Sequence, residues 1–372
     1  MKQIVYADNA ATTKLDSDAF EAMKPYMLEE YGNPSQPYAF SRLTKQAIKD
    51  AREKIAFCIG ADPEEIVFTS GGTESDNWAI KCFCQPGKNV ITSEFEHHAV
   101  LNACIAVKRH GYTVRYIKPD KQGFVQPSEL QNTISNNTGL VSIMLGNNEI
   151  GTIQPIKELA SIAHGKGVIF HTDAVQAVGH IPINVHELDV DMLSSSAHKY
   201  NGPRGIGFLY IKHGISAKPF MDGGSQEMNL RAGTENVAAI VGMSVALEKN
   251  CRAIKQNEQY LLGLEQRLES ALNAKSVDYR RNGGENHLPG LMSLSFPGYS
   301  GEMILHRLDL MGIEISTGSA CDGHKDQISH VLKAISLDKE LAEGTIRISL
   351  GKYNTEEEVD YISNALCSVI SK

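Results

Sequence analysis

A chain of 372 residues, 42% hydrophobic and 22% charged, is too long for one core and predicts a large domain with a smaller one. Its net charge of −8 argues against direct nucleic-acid or anionic-membrane binding, because both reward basic surface. Seven cysteines without repeated Cys-x-x-Cys pairs argue against a disulfide framework or a zinc ribbon, and no metal site is expected.

In chain order, residues 1–8 enter a strand-like run directly, without the apolar segment of a signal peptide, and no stretch is long and apolar enough to span a bilayer. A cytoplasmic location is expected. Leu43, Ala47, Ala51 and Ile55 recur at helical spacing over 41–59, and Gly60 stops that helix. From 64 to about 212, apolar strands over 66–69, 89–92, 114–117, 140–144 and 168–171 alternate with helices. One helix begins near Thr73, one ends at Gly111 and one starts at Pro155. Such alternation predicts βαβ units and a mostly parallel sheet between helices. Ligands of such sheets bind at the carboxyl ends of the strands. A long helical region follows over about 235–273, then strands over 291–296, 312–316 and 345–350. The expected division is a large domain over 15–256 and a small α+β domain made of 1–14 and 257–372, carrying a loop at about 316–330.

Three polar motifs fall at predicted strand ends. Thr69 to Asn77 sets Gly71, Gly72 and Thr73 between strand and helix, where backbone N–H groups favour a phosphate; a capping box from Thr73 to Asp76 is the plainer reading. The run lacks the Gly-Lys-Ser/Thr ending of a Walker A loop. Asp173 ends a buried strand, where an isolated carboxylate is costly. A cationic pyridinium nitrogen would pair with it, or Asp173 simply caps the next helix. Lys199, between an apolar strand and the turn Asn201-Gly202-Pro203, is placed to form a Schiff base with a carbonyl cofactor, although a surface lysine beside a turn is the commoner case. Cys82 and Cys84 read as helix-face packing. Cys321 differs: the polar, small-residue run 316–326 should be a mobile loop, and His324 or Lys325 nearby would raise its thiolate fraction.

Taken together, the motifs resemble the cysteine desulfurases (NifS/IscS-like), relatives of the class V aminotransferases with the type I pyridoxal-phosphate fold. The resemblance runs through residues 6–13, 32–35, 71–77, 96–97, 147–151, 173–176, 198–199, 231–234, 319–321 and 346–351. It implies a seven-stranded type of sheet between helices and a pyridoxal 5'-phosphate enzyme. Lys199 would carry the cofactor, Asp173 would pair with its ring nitrogen, Gln176 would bond its hydroxyl, and His97, rather than His98, would stack on it. Gly72, Thr73, Ser196 and His198 would bind phosphate, with Thr234 from a second subunit, so a homodimer is implied. Asn148 and Arg347 would hold the carboxylate of L-cysteine. Cys321 would take the sulfur as a persulfide and pass it to an acceptor protein, such as an iron–sulfur cluster scaffold or a tRNA-thiolation enzyme.

The chain departs from the family after Cys321, where residues 322–328 replace a Thr/Ser-rich segment, and at Tyr38, where a histidine is common. Sister readings are a selenocysteine lyase and a class V aminotransferase that would not need Cys321; a reading of another class, a non-catalytic scaffold for a sulfur-transfer partner, is opposed by the retention of Lys199, Asp173, His97 and Cys321 together.

Overall fold

The computed structural model describes residues 4–82, 87–317 and 328–370. Cys84, Cys321, His324 and Lys325 lie outside the described residues. In chain order, the elements that position the site are β1 (Val5–Tyr6), α1 (Ser17–Leu28), α2 (Arg42–Ile59), β2 (Ile66–Thr69), α3 (Gly72–Cys82), β3 (Asn89–Ser93), α4 (His98–Arg109), β4 (Thr113–Ile117), β5 (Thr138–Ser142), β6 (Ile169–Asp173), β7 (Met192–Ser196) and β8 (Gly207–Ile211). Four strands follow: β9 (Arg280–Asn282), β10 (Leu291–Ser295), β11 (Ile313–Glu314) and β12 (Thr345–Ser349).

Seven strands form one sheet in the order β2-β8-β7-β6-β5-β3-β4, and only β8 runs against its neighbours. Every residue of β2, β3, β7 and β8 is buried, as expected of a sheet covered by helices on both faces. The fold is the mostly parallel α/β architecture that the alternating pattern predicts. A second core gathers Val5 and Ala7 with Leu264, Leu294, Ile313, Ile348 and Leu366. There, β10 lies between β9 and β12 in an antiparallel sheet, and β1 pairs in parallel with β11.

Gly60, in the left-handed region at φ 68°, ends α2 as its sequence suggests. Several boundaries move; the strand expected at 168–171, for one, is Ile169–Asp173. The strand expected at 140–144 is Thr138–Ser142; beyond it the Met144 N–H bonds the Glu96 side chain in place of a neighbouring strand. The strand expected at 312–316 is only Ile313–Glu314, since its partner is the two-residue β1. The helical region expected over 235–273 is two helices, Val237–Arg252 and Ile254–Ala274. Tyr38 is half exposed ahead of a short 3-10 turn. No helix among the described residues is long and apolar enough to cross a membrane.

Candidate active site

Successive strand ends deliver side chains to one cavity of 410 Å³. The β2–α3 turn supplies Gly72 and Thr73, and the β3–α4 turn supplies His97. Asn148 follows β5, Asp173 ends β6 with Gln176 close behind, and Ser196, His198 and Lys199 come from the end of β7. Arg347 reaches in from β12, while Asp8, Ala10 and Ala11 follow β1. Thus all the described residues that the sequence assigned to the site line this cavity, except Thr234. That threonine is exposed and lines no part of the cavity in its own chain. A slightly larger hollow of 490 Å³, beside Tyr299, Glu302 and Ser329, has no lysine, histidine or cysteine among its described lining residues.

The β2–α3 turn depends on its glycines. Gly71 has φ 144°, a conformation side chains disfavour, and a Cβ on Gly72 would sit 2.6 Å from Val175 Cγ2. The open end of α3 meets Ser196, His198 and Arg204 around an adjoining hollow. Glu74, an acid at this rim, is bonded by Arg231 Nε at 2.9 Å and by the Ser70 N–H at 2.8 Å. Burial opposes its ionisation, but these bonds hold its carboxyl below the usual range. The Thr73–Asp76 capping box does not form; Asp76 is buried instead.

Lys199 donates from Nζ to Ala10 O at 2.6 Å and Ala11 O at 2.9 Å, and Gln176 Nε2 donates to the same Ala10 carbonyl at 2.7 Å. Asp173 Oδ1 accepts the Val175 N–H at 2.9 Å, so the local cap offered by the sequence coexists with a carboxyl facing the cavity. Burial pushes its pKa up to about 6, with the nearby Lys199 charge acting in the other direction.

His97 caps α4: its Nδ1 accepts the Ala99 N–H at 3.1 Å. The proton of the neutral ring therefore sits on Nε2. Burial, helped by Lys199, lowers its pKa to about 4. His98 points elsewhere, edge-on to His330 with ring centroids 4.7 Å apart. Arg347 donates to Asp8 Oδ1 at 2.7 Å and to Asn148 O at 2.9 Å. Its Nε and the Asn148 Oδ1 are buried and find no hydrogen-bond partner among the described residues. Buried donors and acceptors seldom stay so, and this pair marks a place for a polar ligand.

Glu96 lies under His97 and is fully buried. It accepts the Ser93 hydroxyl and the Met144 N–H, yet burial raises its pKa from 4.5 to about 8. Its stabilising contribution is therefore complete below pH 4.5 and lost as pH rises through about 8. Glu96→Gln, a neutral mimic, is expected to melt close to wild type at acidic pH and above it at alkaline pH. Melting curves of both proteins across that range would check it; a constant difference would contradict the assignment.

Sequence reasoning missed two acids, Asp8 and Asp76. Asp76 was legible in principle, since it shares the buried face of α3 with Gly72, Ala79 and Ile80.

The chain matches the family described as aminotransferase class-V over residues 5–362. It is 49% identical to the cysteine desulfurase IscS of Dictyoglomus turgidum, over 100% of this chain and 96% of that protein. Among solved structures, a NifS-like protein superposes with a TM-score of 0.93 at 38% identity, covering 99% of this chain and 100% of the other. A structure titled SspA in complex with cysteine superposes at 0.83, with 35% identity over 95% of this chain and 100% of that one. With its strand order, its cavity and similarity along its full length, the chain belongs to the class-V aminotransferases, on the branch of the IscS and NifS cysteine desulfurases.

Proposed function

We propose that the protein is a cysteine desulfurase that uses pyridoxal 5'-phosphate to take sulfur from L-cysteine, releasing L-alanine and leaving a persulfide on Cys321. The observation that carries this reading is the convergence of Lys199, Asp173 and Arg347 on one cavity.

The cavity suits the cofactor's chemistry. A buried carboxyl, Asp173, answers a ring nitrogen, and a primary amine, Lys199, stands in the same space. The glycine-walled end of α3 with Ser196 and His198 suits a phosphate. Lys199 would hold the cofactor covalently, Gln176 would bond its hydroxyl and His97 would cover its face. Gly72, Thr73, Ser196 and His198 would hold the phosphate with Thr234 of a second copy, which makes the working unit a homodimer. When bound, the cofactor supplies an electron sink that stabilises negative charge at the substrate Cα.

The protein's own groups do the rest. Arg347 and Asn148 hold the substrate carboxylate, the arginine offering a planar fork of donors. The Lys199 amine, when uncharged, would accept the Cα proton. His97, neutral and protonated at Nε2, is poised to pass a proton to the substrate. Cys321 acts as a thiolate: its sulfur bonds to the substrate sulfur as the carbon–sulfur bond breaks, and the electron pair stays with the carbon skeleton. Protonation of that skeleton gives alanine, and the persulfide passes its sulfur to an acceptor protein of the iron–sulfur scaffold or tRNA-thiolation kind.

Alanine and sulfide released from L-cysteine with excess thiol test this reading. Equal amounts are expected from wild type. Cys321→Ala is expected to fall to the blank rate while keeping the cofactor's absorbance. Undiminished alanine from the variant would remove Cys321 from the reaction.

A further inference from the structure

The reaction as described leaves one buried acid of the cavity unused. Asp76, on the first turns of α3, is 1% exposed and lines the same cavity as Asp173. Its Oδ1 finds no hydrogen-bond partner among the described residues. The nearest ring nitrogen, His171 Nε2, is 3.7 Å away, beyond a hydrogen bond.

A fixed layer of small polar groups surrounds it. His171 and Asp173 point to the same face of β6, and Ser194 on β7 pairs in register with Asp173. Ser142 Oγ lies 2.9 Å from His171 Nδ1, and Ser194 Oγ lies 2.9 Å from His171 Nε2. The imidazole is thus bridged at both nitrogens by hydroxyls, and burial keeps it neutral, with a pKa lowered to about 3. It brings Asp76 no positive charge. The groups that act on Asp76 are the neighbouring acids Asp173 and Glu96, which oppose its ionisation as burial does, and the Ser194 hydroxyl, which favours it.

Two buried carboxyls lining one cavity cannot both ionise cheaply, and one is disfavoured as an anion until more positive charge is brought to the pair. One acid is enough to meet a single ring nitrogen. With Arg347 paired to Asp8, the two acids Asp76 and Asp173 share the cavity with one further cation, Lys199, so one carboxyl is in excess, and Asp76 has an oxygen left without a donor among the described residues. That surplus matches a ring carrying its own proton.

We propose that Asp76 is a positioning residue that acts through Asp173, the pair together holding a bound pyridine ring in its N-protonated, cationic form. This rests on the pyridoxal-phosphate reading above.

The test is equilibrium binding by calorimetry to the full chain freed of cofactor. One ligand is pyridoxine 5'-phosphate, which has no aldehyde and so forms no bond to Lys199. The other is its analogue with C–H in place of the ring nitrogen. Wild type is expected to prefer the nitrogen ligand. Asp76→Asn, which keeps shape and removes charge, is expected to bind that ligand about tenfold more weakly and the carbon analogue within about twofold of wild type. Asp76→Ser, smaller and also neutral, gives the same pattern if asparagine disturbs the packing of α3. Ser194→Ala keeps both acids and is expected to keep the preference. An unchanged preference in Asp76→Asn, or an equal loss for both ligands, would overturn the inference while leaving the cofactor reading intact. Failure of wild type to bind pyridoxine 5'-phosphate would overturn both.

Discussion

Lys199→Ala is expected to abolish turnover of L-cysteine, with kcat down about 10⁴-fold or more, because on the proposed reading one side chain would both anchor the cofactor and move the Cα proton. The fold should survive. The Lys199 backbone is held independently of its amine, with its carbonyl 2.9 Å from His180 Nε2 and the next residue, Tyr200, fully buried. Ala10 O also keeps a donor, since Gln176 Nε2 bonds it at 2.7 Å. Melting temperature should therefore stay near that of wild type freed of cofactor, while the cofactor is lost on gel filtration. Borohydride reduction followed by peptide mass spectrometry gives the direct check. The wild-type peptide containing Lys199 should gain the cofactor's mass, and a gain on any other lysine would overturn the assignment.

Glu227→Ala is expected to lower the midpoint of urea unfolding by the equivalent of about 3–5 kcal/mol, the cost of stranding one member of a buried ion pair. Glu227, Met228 and Asn229 run consecutively through the left-handed region, with φ of 46°, 58° and 64°. Each such residue costs about 1–2 kcal/mol unless something holds it. What holds this turn is the Glu227 carboxylate. It takes Arg52 at 2.6 and 2.9 Å and the Phe68 N–H at 2.8 Å, while the guanidinium lies 4.4 Å from the Phe68 ring centroid. Glu227→Gln keeps the shape and one acceptor, and should fall between alanine and wild type. An unchanged midpoint in Glu227→Ala would mean that the turn holds itself. Because Arg231 and Thr234 follow in the same segment, loosening it should also weaken the Arg231–Glu74 pair at the open end of α3.

The elements most legible in the sequence are those whose burial is nearly complete. Runs such as Ile66–Thr69 and Asn89–Ser93 are buried on both faces, so their apolar character announces them. The break at Ala253 was not legible, because Cys251-Arg252-Ala253-Ile254 contains no glycine or proline. A distant interaction accompanies it: Asn250 Nδ2 donates to Ala246 O and, at 2.7 Å, to Tyr200 O, fixing the helix end against the turn that carries Lys199. The site divides in the same way. Asp173 stands out because it closes a buried strand and Lys199 because it follows one just before a turn, whereas His97 was singled out only by the family motif. The carbonyls of Ala10 and Ala11 that receive the Lys199 amine carry no side-chain signal and lie 189 and 188 residues away. Asp76 was hidden by an ordinary helix-start pattern. Arg347 was found by its motif, but its anchorage to Asp8 belongs to packing between the chain's two ends.

That packing has a consequence for biosynthesis. The strand Val5–Tyr6 pairs with Ile313–Glu314, and Asp8 bridges to Ser349. The large sheet, whose last strand ends at Ile211, is complete in sequence well before those partners leave the ribosome. A nascent chain therefore carries the strand ends of the cavity early, but its opening segment waits for residues near 313 and 349 to be translated. Contacts so far apart in sequence are slow to form. Arg347 takes its place only at the end, so the pocket gains the wall that Arg347 forms after the last strand of the sheet has been translated.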